Sequence, residues 1–126
     1  MTDIVYTDIV VPFKHYHTLL TISRYAGNNN KIALLLIDSK NGEPIATATV
    51  NMVNEHPLPL DHVLIKNYSE NEGMTTALVD SGVVDEPYRV LDAGYAVSGV
   101  HACELTDKVK RLSYLLDTWW IGHDVR

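Results

Sequence analysis

Between residues 18 and 53 the chain runs through three apolar-rich segments separated by two clusters of glycine and asparagine. In the first, Thr18 to Tyr25, Leu20, Ile22 and Arg24 face one way and Leu19, Thr21, Ser23 and Tyr25 the other. A period of two is the signature of a strand. Gly27-Asn28-Asn29-Asn30 follows, and these residue types accept the positive φ that tight turns need. Lys31 to Asp38 is apolar on both faces and reads as a central strand. Asn41-Gly42 is a strong short hairpin signal. In the third segment, Ile45 to Val53, Ala48, Val50 and Met52 alternate with Thr47, Thr49 and Asn51. Three strands joined by two tight turns predict an antiparallel meander.

The remaining chain is read around that meander. Residues 1 to 12, closing at Pro12, predict an edge strand or an ordered arm. Pro57 and Pro59 break the pattern before a short strand from His62 to Asn67. Ser69-Glu70-Asn71-Glu72 has the spacing of a capping box, which starts a helix presenting Met74, Ala77, Leu78 and Ser81 on one face. Gly82 stands where a left-handed terminator is needed. Tyr88 to Leu105 predicts one or two strands, with Tyr95, Val97, Gly99, His101, Cys103 and Leu105 on one side. A last helix starts at Thr106, with Asp107 in its first turn and a stripe of Val109, Leu112, Leu115, Leu116 and Trp119. Strands without strict strand-helix alternation give an α+β class: an antiparallel sheet with a central and a C-terminal helix. With 126 residues and no linker or repeat, residues 1–126 read as a single domain.

Charge narrows the partners. Ten Lys and Arg against sixteen Asp and Glu leave a net charge of −6, the wrong sign for duplex nucleic acid or an anionic membrane. A small anion remains possible, because a few local cations make a positive pocket. The longest apolar run, Ile32 to Ile37, falls far short of the ~20 residues that span a bilayer. One cysteine and an N-terminus with Asp3 and Asp8 fit a cytoplasmic chain without a signal peptide or internal disulfide.

No segment carries a diagnostic catalytic or metal motif. His15 and His17 share a face if both are on a strand, but none of His56, His62, His101 and His123 is spaced as a third zinc ligand. Cys103 near His101 reads as a buried, inert thiol, and Glu70 and Glu72 diverge on a helix. No metal, cofactor or catalytic residue is therefore expected. Arg24 to Lys31, with Asn28 at its tip, offers two cations, an aromatic ring and backbone amides; it fits a phosphate or base site, or a plain turn. Lys108, Lys110 and Arg111 form a cationic helix start that is also an ordinary solvated face. Trp119-Trp120 cannot both face one helix stripe, which points to a homo-oligomer.

The stretch Ile65-Lys66-Asn67-Tyr68-Ser69-Glu70-Asn71-Glu72-Gly73-Met74, with Ala77-Leu78 and Gly82-Val83-Val84 beyond it, resembles a family of small phage and mobile-element proteins. The resemblance covers roughly residues 31 to 105, and Tyr-Ser-Glu-Asn-Glu-Gly is its specific core. In size and predicted architecture the chain is also similar to the anti-Thoeris phage proteins, which sequester cyclic ADP-ribose-type signals. That likeness implies a non-enzymatic sponge, oligomeric, in the host cytoplasm. A sponge recognises adenine and phosphates by aromatic stacking, amide hydrogen bonds and cations. By residue type Arg24, Asn28, Tyr68, Asn71, Tyr88, Arg89, Lys108 and Arg111 are the expected ligand-binding set. A protein-binding inhibitor of a host enzyme, or a small phosphodiesterase using the histidines, are the alternatives.

Overall fold

A computed structural model describes residues 4–25, 31–52, 58–94 and 96–116. Strands β1 (Val5–Phe13), β2 (Tyr16–Arg24), β3 (Ile32–Asp38) and β4 (Pro44–Thr47) form an antiparallel sheet in that order. β5 (His62–Lys66), β6 (Arg89–Ala93) and β7 (Ala96–Glu104) form a second, in the order β5-β7-β6. Helix α1 (Met74–Asp80) lies between β5 and β6, and α2 (Asp107–Ser113) follows β7. The class is α+β with an N-terminal meander, as the periodicity predicts.

The N-terminal segment is the edge strand: among the described strands β1 pairs only with β2, Pro12 opposite His17. The Asn41-Gly42 hairpin closes with Gly42 at φ 76° and its N–H on the Asp38 carbonyl at 2.8 Å. The third strand is shorter than predicted. Regular pairing ends at Thr47 and the chain then crosses to the second sheet. The Ala48 N–H still donates to Leu34 O, but Lys66 N–H donates to Ala48 O and Val50 N–H to Leu64 O. Residues 48–50 thus stitch the two sheets together, and the predicted one-sided alternation fails. Ala48 packs in the main core, whereas Val50 and Met52 pack beside Leu64, Val100 and Ala102 on a smaller cluster.

The main core takes one face of both sheets: Ile9, Val11 and Phe13 from β1, Leu20 and Ile22 from β2, Leu34 and Leu36 from β3, Val63 and Ile65 from β5. Met74 and Leu78 of α1 and Val109 of α2 close over it, each fully buried.

The predicted capping box does not form. Ser69–Asn71 is a single 3-10 turn without a side-chain cap, and Ser69 takes φ 58°. The helix starts five residues after Ser69, behind Gly73 at φ 93°, and Asn67 Oδ1 accepts the Thr75 N–H at 2.9 Å in place of a serine cap. Gly82 does end the helix: at φ 73° its N–H donates to Val79 O, and Val83 N–H donates to Leu78 O, the two hydrogen bonds of a Schellman terminator. At the second helix Thr106 is the N-cap residue, but its hydroxyl donates to Gly82 O at 2.7 Å rather than capping its own helix. The apolar stripe there is narrower than predicted. Val109 and Leu116 are buried, while Leu115, two residues past the end of α2, is 49% exposed. Trp119, Trp120 and Asn28 lie outside the described residues.

Candidate functional site

Where β4 ends and the chain crosses to β5, the seam leaves a cleft of about 490 Å³. That volume is within the range of small-ligand pockets. One wall is the edge of the meander, from Pro44 to Thr47, with Leu35 behind it. The crossing residues Thr49, Val50 and Asn51 make the floor with Tyr25. The other wall is the end of β5 and the turn after it: Lys66, Tyr68, Glu70 and Asn71.

The Tyr-Ser-Glu-Asn-Glu-Gly sequence builds that second wall, and its shape comes from backbone that few residues adopt. Ser69 and Gly73, both at positive φ, bracket the turn. A left-handed non-glycine residue costs about 1–2 kcal/mol, so contacts elsewhere must hold Ser69 there. Asn71 is 1% exposed and its Nδ2 donates to Thr47 O at 2.7 Å, which ties the turn to the far side of the cleft. Lys14 Nζ donates to the Glu70 carbonyl at 2.6 Å, tying it also to the β1–β2 turn. Asn71 is thereby a fastener of the wall more than a polar hand offered to a ligand.

The polar groups inside are few and placed. The Tyr25 hydroxyl and the Thr49 hydroxyl are 2.8 Å apart, and Thr49 Oγ1 also accepts the Leu34 N–H. Burial pushes the Tyr25 hydroxyl pKa up, so it stays a neutral donor and acceptor. Lys66 Nζ lies 2.6 Å from Glu70 Oε2 and 5.4 Å from the centroid of the Tyr68 ring. The hydrogen bond from Lys66 is the largest cause holding the Glu70 carboxyl down at about 2.

The expected ligand-binding residues are not all brought together. Of those among the described residues, Tyr68 and Asn71 belong to this cleft. Arg24 lines a separate recess of about 200 Å³ with Ile32, Leu60, Asp61, Lys110, Ser113 and Tyr114. Tyr88 is on the approach to β6, its hydroxyl 2.7 Å from His62 Nδ1, and Arg89 is exposed on that edge strand. Lys108 and Arg111 are exposed on α2. Residue type alone had gathered cations from β2, β6 and α2, and none of them lines this cleft. It missed Lys66, Thr47, Thr49 and Asn51, while Tyr25 enters as the aromatic ring of the Arg24 to Lys31 segment and does line the cleft. Lys66 ends a strand and Glu70 lies in the turn after it, so the helical four-residue charge rule does not mark the pair. Nothing in sequence marked the threonines and Asn51, because the alternation placed them on an ordinary outer face.

The other candidates resolve into local contacts. His15 is in the β1–β2 turn, not on a strand, so it does not share a strand face with His17; the His17 ring bonds Ser39 Oγ at 2.7 Å. His101 bonds the Thr75 hydroxyl at 2.8 Å. Among the described residues no group of three or more His, Cys, Asp or Glu is arranged to hold a metal ion.

Cys103 is fully buried, and burial, with Glu86 and Asp85 adding repulsion, pushes its thiol up to about 12. Folding therefore favours the protonated thiol. This contribution to stability is fully present below the ordinary thiol value of about 9 and is lost as pH rises from there towards 12. Cys103 is expected not to react with a disulfide reagent at pH 8 in the folded protein and to react fully in denaturant. Rapid labelling of folded protein would contradict this placement.

No helix of the described chain is long and apolar enough to cross a membrane. No protein-family profile, curated protein or solved structure matches this chain.

Proposed function

We propose that this protein binds a small anionic nucleotide-derived signal of the cyclic ADP-ribose class in the seam cleft and holds it unchanged, as a phage counter-defence sponge in the host cytoplasm. The observation that carries the reading is the location of the specific Tyr-Ser-Glu-Asn-Glu-Gly turn: it forms one wall of a cleft of ligand size. The cleft supplies what recognition of a nucleotide needs. Tyr68 offers a ring for a base, Asn51, Thr47 and Tyr25 offer hydrogen bonds, and Lys66 offers a cation. Assembly as a homo-oligomer belongs to the same proposal, with Trp119-Trp120 as the sequence feature behind it.

A second reading, a module that blocks a host enzyme through a surface patch, draws on a different observation. The outward face of β1 exposes Tyr6 and Val10, 69% and 40% accessible, on an edge strand.

Incubation with cyclic ADP-ribose isomers and cyclic oligonucleotides, followed by heat denaturation and mass spectrometry of the released ligand, separates these readings. Intact ligand at stoichiometric yield is expected. A shifted mass would mean turnover, and no retained ligand would leave the surface patch as the better reading.

A further inference from the structure

The proposed ligand is an anion, yet the described residues of the cleft present no net positive charge to it. Among the described residues lining it only Lys66 and Glu70 carry formal charge, and they are paired. We propose that Glu70 is a built-in competitor for the ligand: Lys66 is the phosphate-binding residue, and a phosphoryl group replaces the Glu70 carboxylate on its ammonium. This rests on reading the cleft as a nucleotide site, and adds which residue receives the charge and which opposes it.

Three features of the wall support the assignment. Lys66 is anchored at the end of β5 by its own N–H on Ala48 O, and its ammonium lies over the Tyr68 ring at 5.4 Å. The cation thus lies on the aromatic surface that a base would use, and a stacked base would shift it towards the ligand's phosphoryl group. Glu70 is delivered to it by main chain that is fixed on both sides, through Lys14 Nζ on the Glu70 carbonyl and Asn71 Nδ2 on Thr47 O, with Ser69 in a left-handed conformation. The two partners are also unequally exposed, Lys66 at 26% and Glu70 at 66%. The carboxylate can therefore turn out to solvent while the ammonium stays in the cleft.

An exposed ion pair is weak and readily exchanged. A phosphoryl group carried by a ligand already stacked on Tyr68 arrives at high local concentration, whereas a free anion does not. The pair thus discriminates against simple anions without closing the site to a nucleotide. Because the Glu70 carboxyl stays ionised until about pH 2, ligand rather than pH displaces it.

Glu70→Gln keeps the side-chain shape and removes the competing charge. Titration calorimetry with cyclic ADP-ribose, and with adenosine as an uncharged probe, reads the effect. Glu70→Gln is expected to bind cyclic ADP-ribose about fivefold more tightly and adenosine unchanged. Lys66→Met is expected to weaken cyclic ADP-ribose at least about tenfold, and to abolish the gain from Glu70→Gln in the double variant. Unchanged or weaker binding of cyclic ADP-ribose by Glu70→Gln, with wild type still binding, would overturn the competitor role and leave the cleft as a nucleotide site. Binding of neither probe to any variant would remove the nucleotide reading itself.

Discussion

Leu34→Ala is expected to destabilise the fold by about 2–5 kcal/mol, as large-to-small changes in a packed core do. Leu34 is fully buried in β3, with β2 on one side and the crossing segment on the other. Its carbonyl accepts Ala48 N–H and its own N–H reaches Thr49 Oγ1. A cavity at this point lies under the seam where the two sheets join. Small domains have only about 5–15 kcal/mol in total, so the loss is a large share. Urea unfolding followed by circular dichroism checks it, with a lowered midpoint and an unchanged slope expected. A loss under about 1 kcal/mol would mean that the seam is not the packed centre of the molecule.

Tyr68→Ala is expected to weaken nucleotide binding about 10- to 100-fold, because a base stacked on an aromatic ring is worth about 1–3 kcal/mol. Tyr68→Phe keeps the ring and is expected to retain binding. Tyr88→Ala, Arg89→Ala, Lys108→Ala and Arg111→Ala remove side chains outside the cleft and are expected to leave the affinity within about twofold. Titration calorimetry of the six variants measures this. A larger loss from the α2 or β6 substitutions than from Tyr68→Ala would place the ligand on another face.

The legibility of this chain differs between its local and its non-local features. β2 and β3 were plain because each alternates or saturates with apolar residues between turn residues, and Asn41-Gly42 names its own hairpin. Gly82 was equally plain, since a helix followed by glycine has few ways to end. The Ser69 turn was misread because a capping box and a 3-10 turn with a left-handed serine share the same four letters. What separates them is Asn71, whose bond to Thr47 O joins residues 24 apart in sequence. The crossing at residues 48–50 failed for a similar reason. Thr47 to Asn51 has the period of a strand throughout, and only the partner changes, from β3 to β5. The candidate site is built from those two non-local events. Residue type therefore found its aromatic, Tyr68, and its fastener, Asn71, but took its cations from elements that do not line the cleft.

The most direct test of the seam cleft is an amide chemical-shift titration with cyclic ADP-ribose on uniformly labelled protein. The predicted result is saturable shifts concentrated at Thr47 to Asn51 and Lys66 to Asn71, with Arg89 and Lys108 to Arg111 unmoved. Shifts confined to β6 and α2, or none at saturating ligand, would contradict it.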